Sequence, residues 1–251
     1  GGASDINGLS DAVTNDSGQT IGWGTGALAN DDGSNNEATA VGYNALNANT
    51  TGFGGVAVGH ESLKVNTTGY SNHAFGWKAL HSNTTGHQNI AVGGQTLHYN
   101  TTGVQSVGVG EASLYWNSTG SYNTAVGYYT LTANTTAEAN TAVGYEALRN
   151  NTTGDNNTAS GHEALDSNTT GRWNTAFGSG ALGSTTTGSY NTAVGRSALS
   201  GTSTTSQYNT AFGHQAGYAI ATTNQSTCVG SYAGLSTTGG FNSFFGYGAG
   251  N

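Results

Sequence analysis

Apolar residues recur along this chain at a fixed interval, and each set is placed around one glycine. From Gly42 to Gly195 the interval between successive anchor glycines is constant at seventeen positions, and outside that stretch it varies by one position at most. Such a period is typical of repeat architectures, in which each unit buries its apolar face against its neighbours. The anchor glycines are Gly24, Gly42, Gly59, Gly76, Gly93, Gly110, Gly127, Gly144, Gly161, Gly178, Gly195, Gly213, Gly230 and Gly246.

One copy of the repeat, residues 140–156, has the sequence N-T-A-V-G-Y-E-A-L-R-N-N-T-T-G-D-N. Such a copy is too short for a helix pair, which takes more than about 30 residues. It suits one coil built from two short strands and two turns. The sequence therefore predicts an all-β fold, a parallel β-solenoid (β-roll) of about fourteen coils, each as long as one seventeen-residue copy.

Two columns of apolar side chains are expected to form the core. The residue before the anchor glycine is Val or Phe in most copies, as in Val41, Phe75 and Val143. The residue four positions after it is usually leucine, as in Leu46 and Leu148. Because side chains alternate along a strand, Thr141 should share the face of Val143, and we expect that face to point inward. The anchor glycine should occupy a corner with positive φ or a close backbone approach.

The repeat delimits the domains. Residues 1–20 precede the first copy and are predicted to form an N-terminal junction or cap, and residues 21–251 form the repeat domain. The last three coils, 201–251, diverge because Gly217, Gly234 and Gly250 replace the leucine and phenylalanine becomes more frequent. This change predicts an altered cross-section near that end.

Each coil offers only about two large apolar side chains, whereas ordering each of its residues costs roughly 1–2 kcal/mol. The deficit favours an elongated homotrimer in which further surface is buried between chains. Equal positions in a stack lie about 4.8 Å apart, so asparagines at two positions of the repeat should form ladders of side-chain amides. One ladder would run through Asn72, Asn89 and Asn140, and the other through Asn49, Asn66 and Asn83.

Composition and charge exclude several classes of protein. The formal net charge is −8 with only 5 Lys and Arg, so we expect no nucleic-acid partner. No apolar run approaches the ~20 residues of a membrane span, so we expect no membrane insertion. The single Cys228 excludes an internal disulfide framework. It stands in a column filled mostly by alanine, which favours a small buried residue over a reactive thiol.

The units N-T-A-V-G-Y-E-A-L-R-N-N-T-T-G (140–154) and N-T-A-F-G-S-G-A-L-G-S-T-T-T-G (174–188) resemble repeats of bacterial and phage tail-fibre-domain proteins. Those repeats often precede an endosialidase-type chaperone. The A-V-G-x-x-A element is also similar to head repeats of trimeric autotransporter adhesins. The resemblance covers residues 20–250 and implies a trimeric, surface-binding protein that is extracellular, on the cell surface or on a virion.

No catalytic or metal site is expected, and no cofactor. His60, His162 and His214 follow an anchor glycine, at a position where other copies have residues such as Tyr, Trp, Ser or Arg. Such a variable position indicates surface decoration rather than catalysis. The chain contains no G-x-S-x-G, H-E-x-x-H or phosphate-loop pattern, and its scattered acidic residues form no calcium ladder.

Aromatic residues are the candidates for surface recognition, since exposed rings can stack on sugar rings of surface glycans. The alternative, which we favour, is that they pack on each other as ladders or line an interface between chains. The candidates are Tyr43, Trp77, Tyr128 and Tyr145, directly after an anchor glycine, and Trp173 and Tyr190, five residues before one.

The N-T-T turns have three interpretations. The simplest is turn chemistry with an asparagine ladder. If a eukaryotic secretory pathway makes the protein, the turns are also glycosylation sequons. An in-register threonine array could bind ice, but adjacent threonines point to opposite sides, which weakens that interpretation. The sequon asparagines are Asn49, Asn66, Asn83, Asn100, Asn117, Asn134, Asn151 and Asn168.

These observations favour a non-enzymatic structural fibre or adhesin segment that presents a repetitive surface for attachment. The alternative is a self-assembling extracellular filament subunit, in which open solenoid ends template the next copy. In both cases the main partner is the chain itself, as a homotrimer or as an end-to-end filament.

Overall fold

The computed structural model describes residues 12–15, 19–33, 36–201, 204–220, 225–236 and 240–250. They divide into two compact units, Gly1–Tyr122 and Asn123–Asn251, each built from the same repeat. Among these residues every regular element is a strand, which confirms the all-β prediction.

The first unit contains β1 to β7. Strand β1 pairs antiparallel with β2, and β2 to β7 pair in parallel in chain order, each with the strand of the next repeat. The strands are β1 (Ala12–Asn15), β2 (Thr20–Trp23), β3 (Thr39–Val41), β4 (Val56–Val58), β5 (His73–Phe75), β6 (Ile90–Val92) and β7 (Val107–Val109).

The second unit contains β8 to β15, again parallel and in register. The strands are β8 (Thr124–Val126), β9 (Thr141–Val143), β10 (Thr158–Ser160), β11 (Thr175–Phe177), β12 (Thr192–Val194), β13 (Thr210–Phe212), β14 (Thr227–Val229) and β15 (Ser243–Phe245). The parallel strands β2 to β15, one per repeat, confirm the β-solenoid and the predicted length of its coils.

Each coil contains one strand, not the two that the sequence suggested. The remaining residues form turns, yet their backbone groups still bond from coil to coil: Leu63 N–H donates to Ala79 O at 3.0 Å and Glu61 N–H to Tyr43 O at 2.8 Å. Glu61 and Leu63 have φ of 56° and 49°. Left-handed residues at these points keep the peptide groups parallel to the stacking direction, so a turn can replace the second strand.

The strand faces are the reverse of the expectation. The middle residue of the strand is buried, with Ala142 fully covered, while Val143 and Phe177 are 41% and 54% exposed. Thr141 is exposed as well. The coil is so narrow that only a methyl group fits between the strand and the leucine column, and the valine and phenylalanine side chains therefore point outward.

The leucine column points inward as predicted, and every leucine from Leu28 to Leu199 at this position is at most 2% exposed. Full burial of such a side chain contributes about 1.5–3 kcal/mol. Where glycine replaces leucine, another side chain fills the space. A Cβ on Gly217 would lie 2.8 Å from Ile220 Cδ1, and a Cβ on Gly250 would lie against the Phe244 ring. In these last coils the space of the missing leucine is thus filled by a side chain from another position of the repeat.

Each anchor glycine has a φ between 116° and 142°. Wherever another anchor glycine follows in the same unit, a Cβ would meet its carbonyl oxygen or carbon within 2.3 to 2.7 Å. Both the predicted positive φ and the predicted close backbone approach are present, because the coils touch through backbone alone at this corner.

Substituting one anchor glycine should therefore disrupt the stack. Gly59→Ala places a methyl group 2.3 Å from Gly76 O at a φ of 136°, and we expect a loss of at least about 2 kcal/mol in the free energy of unfolding. Gly55→Ala, in the same coil, is the control, because its nearest neighbour is Leu46 Cδ1 at 3.6 Å. Equal urea midpoints for the two variants would contradict the proposed backbone contact.

Candidate functional site

Part of the solenoid interior is polar, and two asparagine columns fill it. In the first column, Asn66 Nδ2 donates to Asn49 Oδ1 at 2.9 Å and to Gly69 O at 2.9 Å. Asn83 repeats both bonds one coil further on. The second column uses its side-chain oxygen differently, since Asn72 Oδ1 accepts from the backbone N–H of Asn89 at 3.1 Å. Both predicted ladders are present.

The two ladders meet at a shared carbonyl. Gly86 O accepts from Asn72 Nδ2 at 2.7 Å and from Asn83 Nδ2 at 2.9 Å. These asparagines are at most 1% exposed. A buried amide that lacked partners would cost free energy, and the repeat removes that cost because each coil provides the donor or acceptor that the previous coil needs.

The sequon asparagines lie in the first of these ladders. All eight, from Asn49 to Asn168, are 1% exposed or less. Asn66, Asn83 and Asn100 use both hydrogens of Nδ2 in hydrogen bonds. A glycan on Nδ2 would replace one of those hydrogens and would have to pass through the coil wall. The folded solenoid therefore has no room for the glycan strip that the sequence allowed.

The threonines of the turns do not present a free hydroxyl array. The first threonine of the N-T-T turn donates its hydroxyl to the backbone of the next coil, as Thr67 does to Thr84 O at 3.1 Å and Thr152 to Thr169 O at 3.0 Å. Only the second threonine, such as Thr68 or Thr153, is exposed. This arrangement further weakens the interpretation of the turns as an ice-binding surface.

The aromatic residues form stacked ladders along the outside of each unit. Tyr43 stacks on His60 with centroids 5.1 Å apart, Tyr128 on Tyr145 at 5.6 Å, and Trp173 on Tyr190 at 5.0 Å. A neighbouring ring therefore covers at least one face of each of these rings, although the side chains remain 43–49% exposed. For these residues the structure matches the alternative of ring-on-ring packing.

Trp77 is the one sequence candidate with a different environment. It is 48% exposed, and among the described residues its indole makes no ring stack and one cation–π contact, with Lys78 Nζ 5.1 Å from the ring centroid. The next coil has Gly94 at the equivalent position. Among the described residues the stack of Tyr43 on His60 ends before Trp77, and no ring of the next coil continues it.

Further ring ladders were not anticipated from the sequence. Their members share a position in successive coils, so the spacing of the repeat was the available signal. They are Phe53–Tyr70–His87 with centroids 5.0 and 4.4 Å apart, His81–His98–Tyr115 at 5.0 and 5.3 Å, and Tyr99–Trp116 at 4.5 Å.

Charged groups form two small clusters. Glu61 contacts Lys64 at 2.5 Å, Lys78 at 3.5 Å and His81 at 3.7 Å, and the hydrogen bond from Lys64 holds the pKa of Glu61 below its usual value. Arg149 bridges Glu146 and Asp166 at 2.8 and 3.0 Å. Both clusters cross-link neighbouring coils. In the first cluster Ser82 Oγ also lies 3.3 Å from His81 Nδ1.

The histidines after the anchor glycines belong to the outer ring columns, and the single cysteine belongs to the core. His60 and His162 take part in ring stacks, and no group of three His, Cys, Asp or Glu side chains in the described ranges is placed to hold a metal ion. Cys228 is fully buried, and burial raises the pKa of its thiol to about 11, in agreement with the interpretation of Cys228 as a small core residue.

The residues whose coordinates are described contain no helix that could cross a membrane. Comparison of the chain with protein-family models, with curated proteins and with solved structures gives no match. The fold and the side-chain columns are therefore the basis for inferring function.

One break in the first asparagine ladder allows a direct test of its contribution. Thr185 follows Asn168 in this column, and both Asn168 Oδ1 and Thr185 Oγ1 are buried without a hydrogen-bond partner. Thr185→Asn restores a donor to Asn168 Oδ1 and another to Gly188 O, and should raise the free energy of unfolding by about 1–2 kcal/mol.

The reciprocal variant is Asn151→Thr, which removes bonds to Asn134 and Gly154 and the acceptor for Asn168. It should lower the unfolding midpoint in urea by at least as much as Thr185→Asn raises it. If neither Thr185→Asn nor Asn151→Thr changed the unfolding midpoint in urea, the ladder would not stabilise the coils.

Acidification should destabilise the first unit through its histidine ladder. Burial lowers the pKa of both His81 and His98 from 6.5. Below about pH 6.5 the unfolded chain therefore binds more protons than the folded chain, and the free energy of unfolding decreases as the pH is lowered. We expect the melting temperature to drop between pH 7.5 and 5.5. The double variant His81→Asn/His98→Asn should show a smaller drop, and an unchanged drop would rule out these histidines as its cause.

Proposed function

We propose that this chain is a non-enzymatic structural fibre or adhesin segment that packs side by side with copies of itself, as a homotrimer. The observation that carries the proposal is the outward face of the strands. In the first unit this strand face consists of two columns, the residues three and one before each anchor glycine. They are Ile21, Trp23, Thr39, Val41, Val56, Val58, His73, Phe75, Ile90, Val92, Val107 and Val109.

The strand face of the first unit is apolar and accessible. Ile21, Trp23, Phe75, Ile90 and Val92 are between 38% and 54% exposed. Contiguous exposed apolar surface is characteristic of protein–protein contact. The backbone of these strands is already paired between coils, so a partner would cover the strand face with side chains, as in sheet-on-sheet packing.

A further copy of this chain fits the strand face better than an unrelated partner. A second copy carries the same apolar side chains at the same spacing between coils, so the columns of its strand face can interdigitate with the columns of the first copy. In both units these two columns contain no Asp, Glu, Lys or Arg. Copies can therefore approach through this face without placing like charges in contact, despite a net charge of −8.

The second unit presents the same face in a more polar form. Threonine occupies the first column from Thr124 to Thr227, while Val and Phe continue in the second, apart from Ser160. Burial of two apolar columns stabilises an interface more than burial of one. The proposal therefore places the stronger contact between copies in the first unit.

We assign attachment to the surfaces outside the strand face, which the contact between copies would leave exposed. The ladder rings and turns repeat along the coils, which suits many weak contacts that gain avidity together. Such a segment would act outside the cell, on a cell surface or on a virion, with surface glycans as candidate ligands. The filament subunit remains the alternative, and the mass of the particle separates the two.

The strand-face variant Val41→Thr/Val58→Thr/Phe75→Thr/Val92→Thr keeps residues that favour strands and removes the apolar column. Light scattering at micromolar concentration should give three chain masses for the wild type and one for this variant, with unchanged circular dichroism. The control Thr51→Ser/Thr68→Ser/Thr85→Ser/Thr102→Ser alters an exposed turn column and should remain trimeric. A monomeric wild type, or a trimeric strand-face variant, would contradict the proposal, and a mass that grows with concentration would favour the filament.

A further inference from the structure

Tyr190 and Tyr208 of neighbouring coils hold their phenol rings face to face. The ring centroids lie 4.8 Å apart, and the ring planes are inclined by only 3°. Each tyrosine stands two residues before a strand, and the residues that begin those strands, Thr192 and Thr210, are paired in register. Tyr208 N–H also donates to Ser189 O at 3.2 Å. Backbone pairing next to the tyrosines therefore holds the two rings at this separation.

Both rings are accessible from solvent. Tyr190 is 43% exposed and Tyr208 is 50% exposed. Trp173 of the preceding coil stacks on Tyr190 at 5.0 Å, so the Tyr190 ring lies between an indole and a phenol. An oxidant dissolved in water can therefore reach two phenols that are already in contact with each other.

We propose that Tyr190 and Tyr208 form a site of oxidative modification, at which a haem peroxidase and hydrogen peroxide join the two residues as dityrosine. Oxidation removes one electron and the hydroxyl proton from each phenol and leaves two tyrosyl radicals. The radicals couple through a new carbon–carbon bond between their ortho carbons, and the two ortho hydrogens then move to the phenolic oxygens. Hydrogen peroxide accepts the two electrons and the two protons and becomes two molecules of water.

The stack favours coupling within one chain. Two radicals couple only when they meet, and groups that are held in contact react as if they were highly concentrated. Tyr128 and Tyr145 form a second parallel pair, and their larger separation of 5.6 Å should make them couple more slowly. Tyr43 stacks on a histidine, His60, and therefore has no phenol partner in its stack.

The proposed bond lies close to the break in the first asparagine ladder. At that break neither Asn168 Oδ1 nor Thr185 Oγ1 has a hydrogen-bond partner, and Tyr190 follows Thr185 by five residues. A covalent bond from Tyr190 to Tyr208 restricts the unfolded chain, and it should stabilise the coils next to the break. The modification site goes beyond the proposed attachment function and does not depend on self-association.

The test is to treat the full chain with hydrogen peroxide and a haem peroxidase, and to isolate the product that keeps the mass of one chain in denaturing electrophoresis. Its digest should contain a fluorescent peptide pair that is joined through Tyr190 and Tyr208 and is lighter by two hydrogens. The urea midpoint of this product should exceed that of the untreated chain.

Two variants keep every ring and remove one phenol. Tyr208→Phe preserves the stack but should lower the yield of dityrosine at Tyr190 in the single-chain product by at least about tenfold, because Tyr190 loses its neighbouring radical. Tyr43→Phe is the matched control, since Tyr43 is 49% exposed and stacked on a ring other than phenol. This variant should give the wild-type yield, and circular dichroism should be unchanged in both variants.

Three results would overturn the proposal. They are a single-chain product without a peptide pair joined through Tyr190 and Tyr208, an unchanged yield of dityrosine at Tyr190 in Tyr208→Phe, and a wild-type product in which Tyr190 is joined to Tyr43 as often as to Tyr208. Particle mass is measured separately on the untreated chain, so a monomer that forms this dityrosine would refute the proposed trimer and leave the modification site intact.

Discussion

The stacking of coils at a spacing of about 4.8 Å is the constraint on which the rest of the structure depends. Every side chain has the equivalent side chains of the adjacent coils as its nearest neighbours within a unit. A residue type is therefore stable at a position only if it interacts favourably with its own copy. Asparagine satisfies this condition because one amide is both donor and acceptor, as in the bonds from Asn83 to Asn66 and from Asn66 to Asn49.

The same constraint explains how such a narrow fold is held together. Ala and Leu supply a small apolar part of the interior, and the asparagine ladders supply a polar part whose amides are paired between coils. Backbone hydrogen bonds between coils continue through the turns, where Leu63 adopts a left-handed conformation to keep its N–H aligned with the next coil. Burial of the leucine side chain offsets the strain of that conformation.

The period, the class of fold, the leucine column and both asparagine ladders could be predicted from the sequence, since each follows from spacing alone. The direction of the strand faces could not. Alternation shows that Thr141 and Val143 share one face and Ala142 has the other, but hydrophobicity suggested that valine was inside. The width of the coil determines which strand face points inward. That width depends on left-handed turns at residues such as Glu146 and Leu148, and the sequence does not mark these turns because the residues are not glycines. The candidate sites divide in the same way: spacing placed Tyr128 and Tyr145 in one column, but whether their ring faces are covered depends on side-chain packing.

The central claim is that the asparagine side chains are internal structural elements of the stack. Hydrogen exchange of the Asn66, Asn83 and Asn100 side-chain amides, followed by NMR at neutral pH, tests it most directly. The account predicts that these Nδ2 hydrogens exchange orders of magnitude more slowly than those of a solvent-exposed asparagine, because both are buried and hydrogen-bonded. Exchange at the rate of a solvent-exposed asparagine would contradict it.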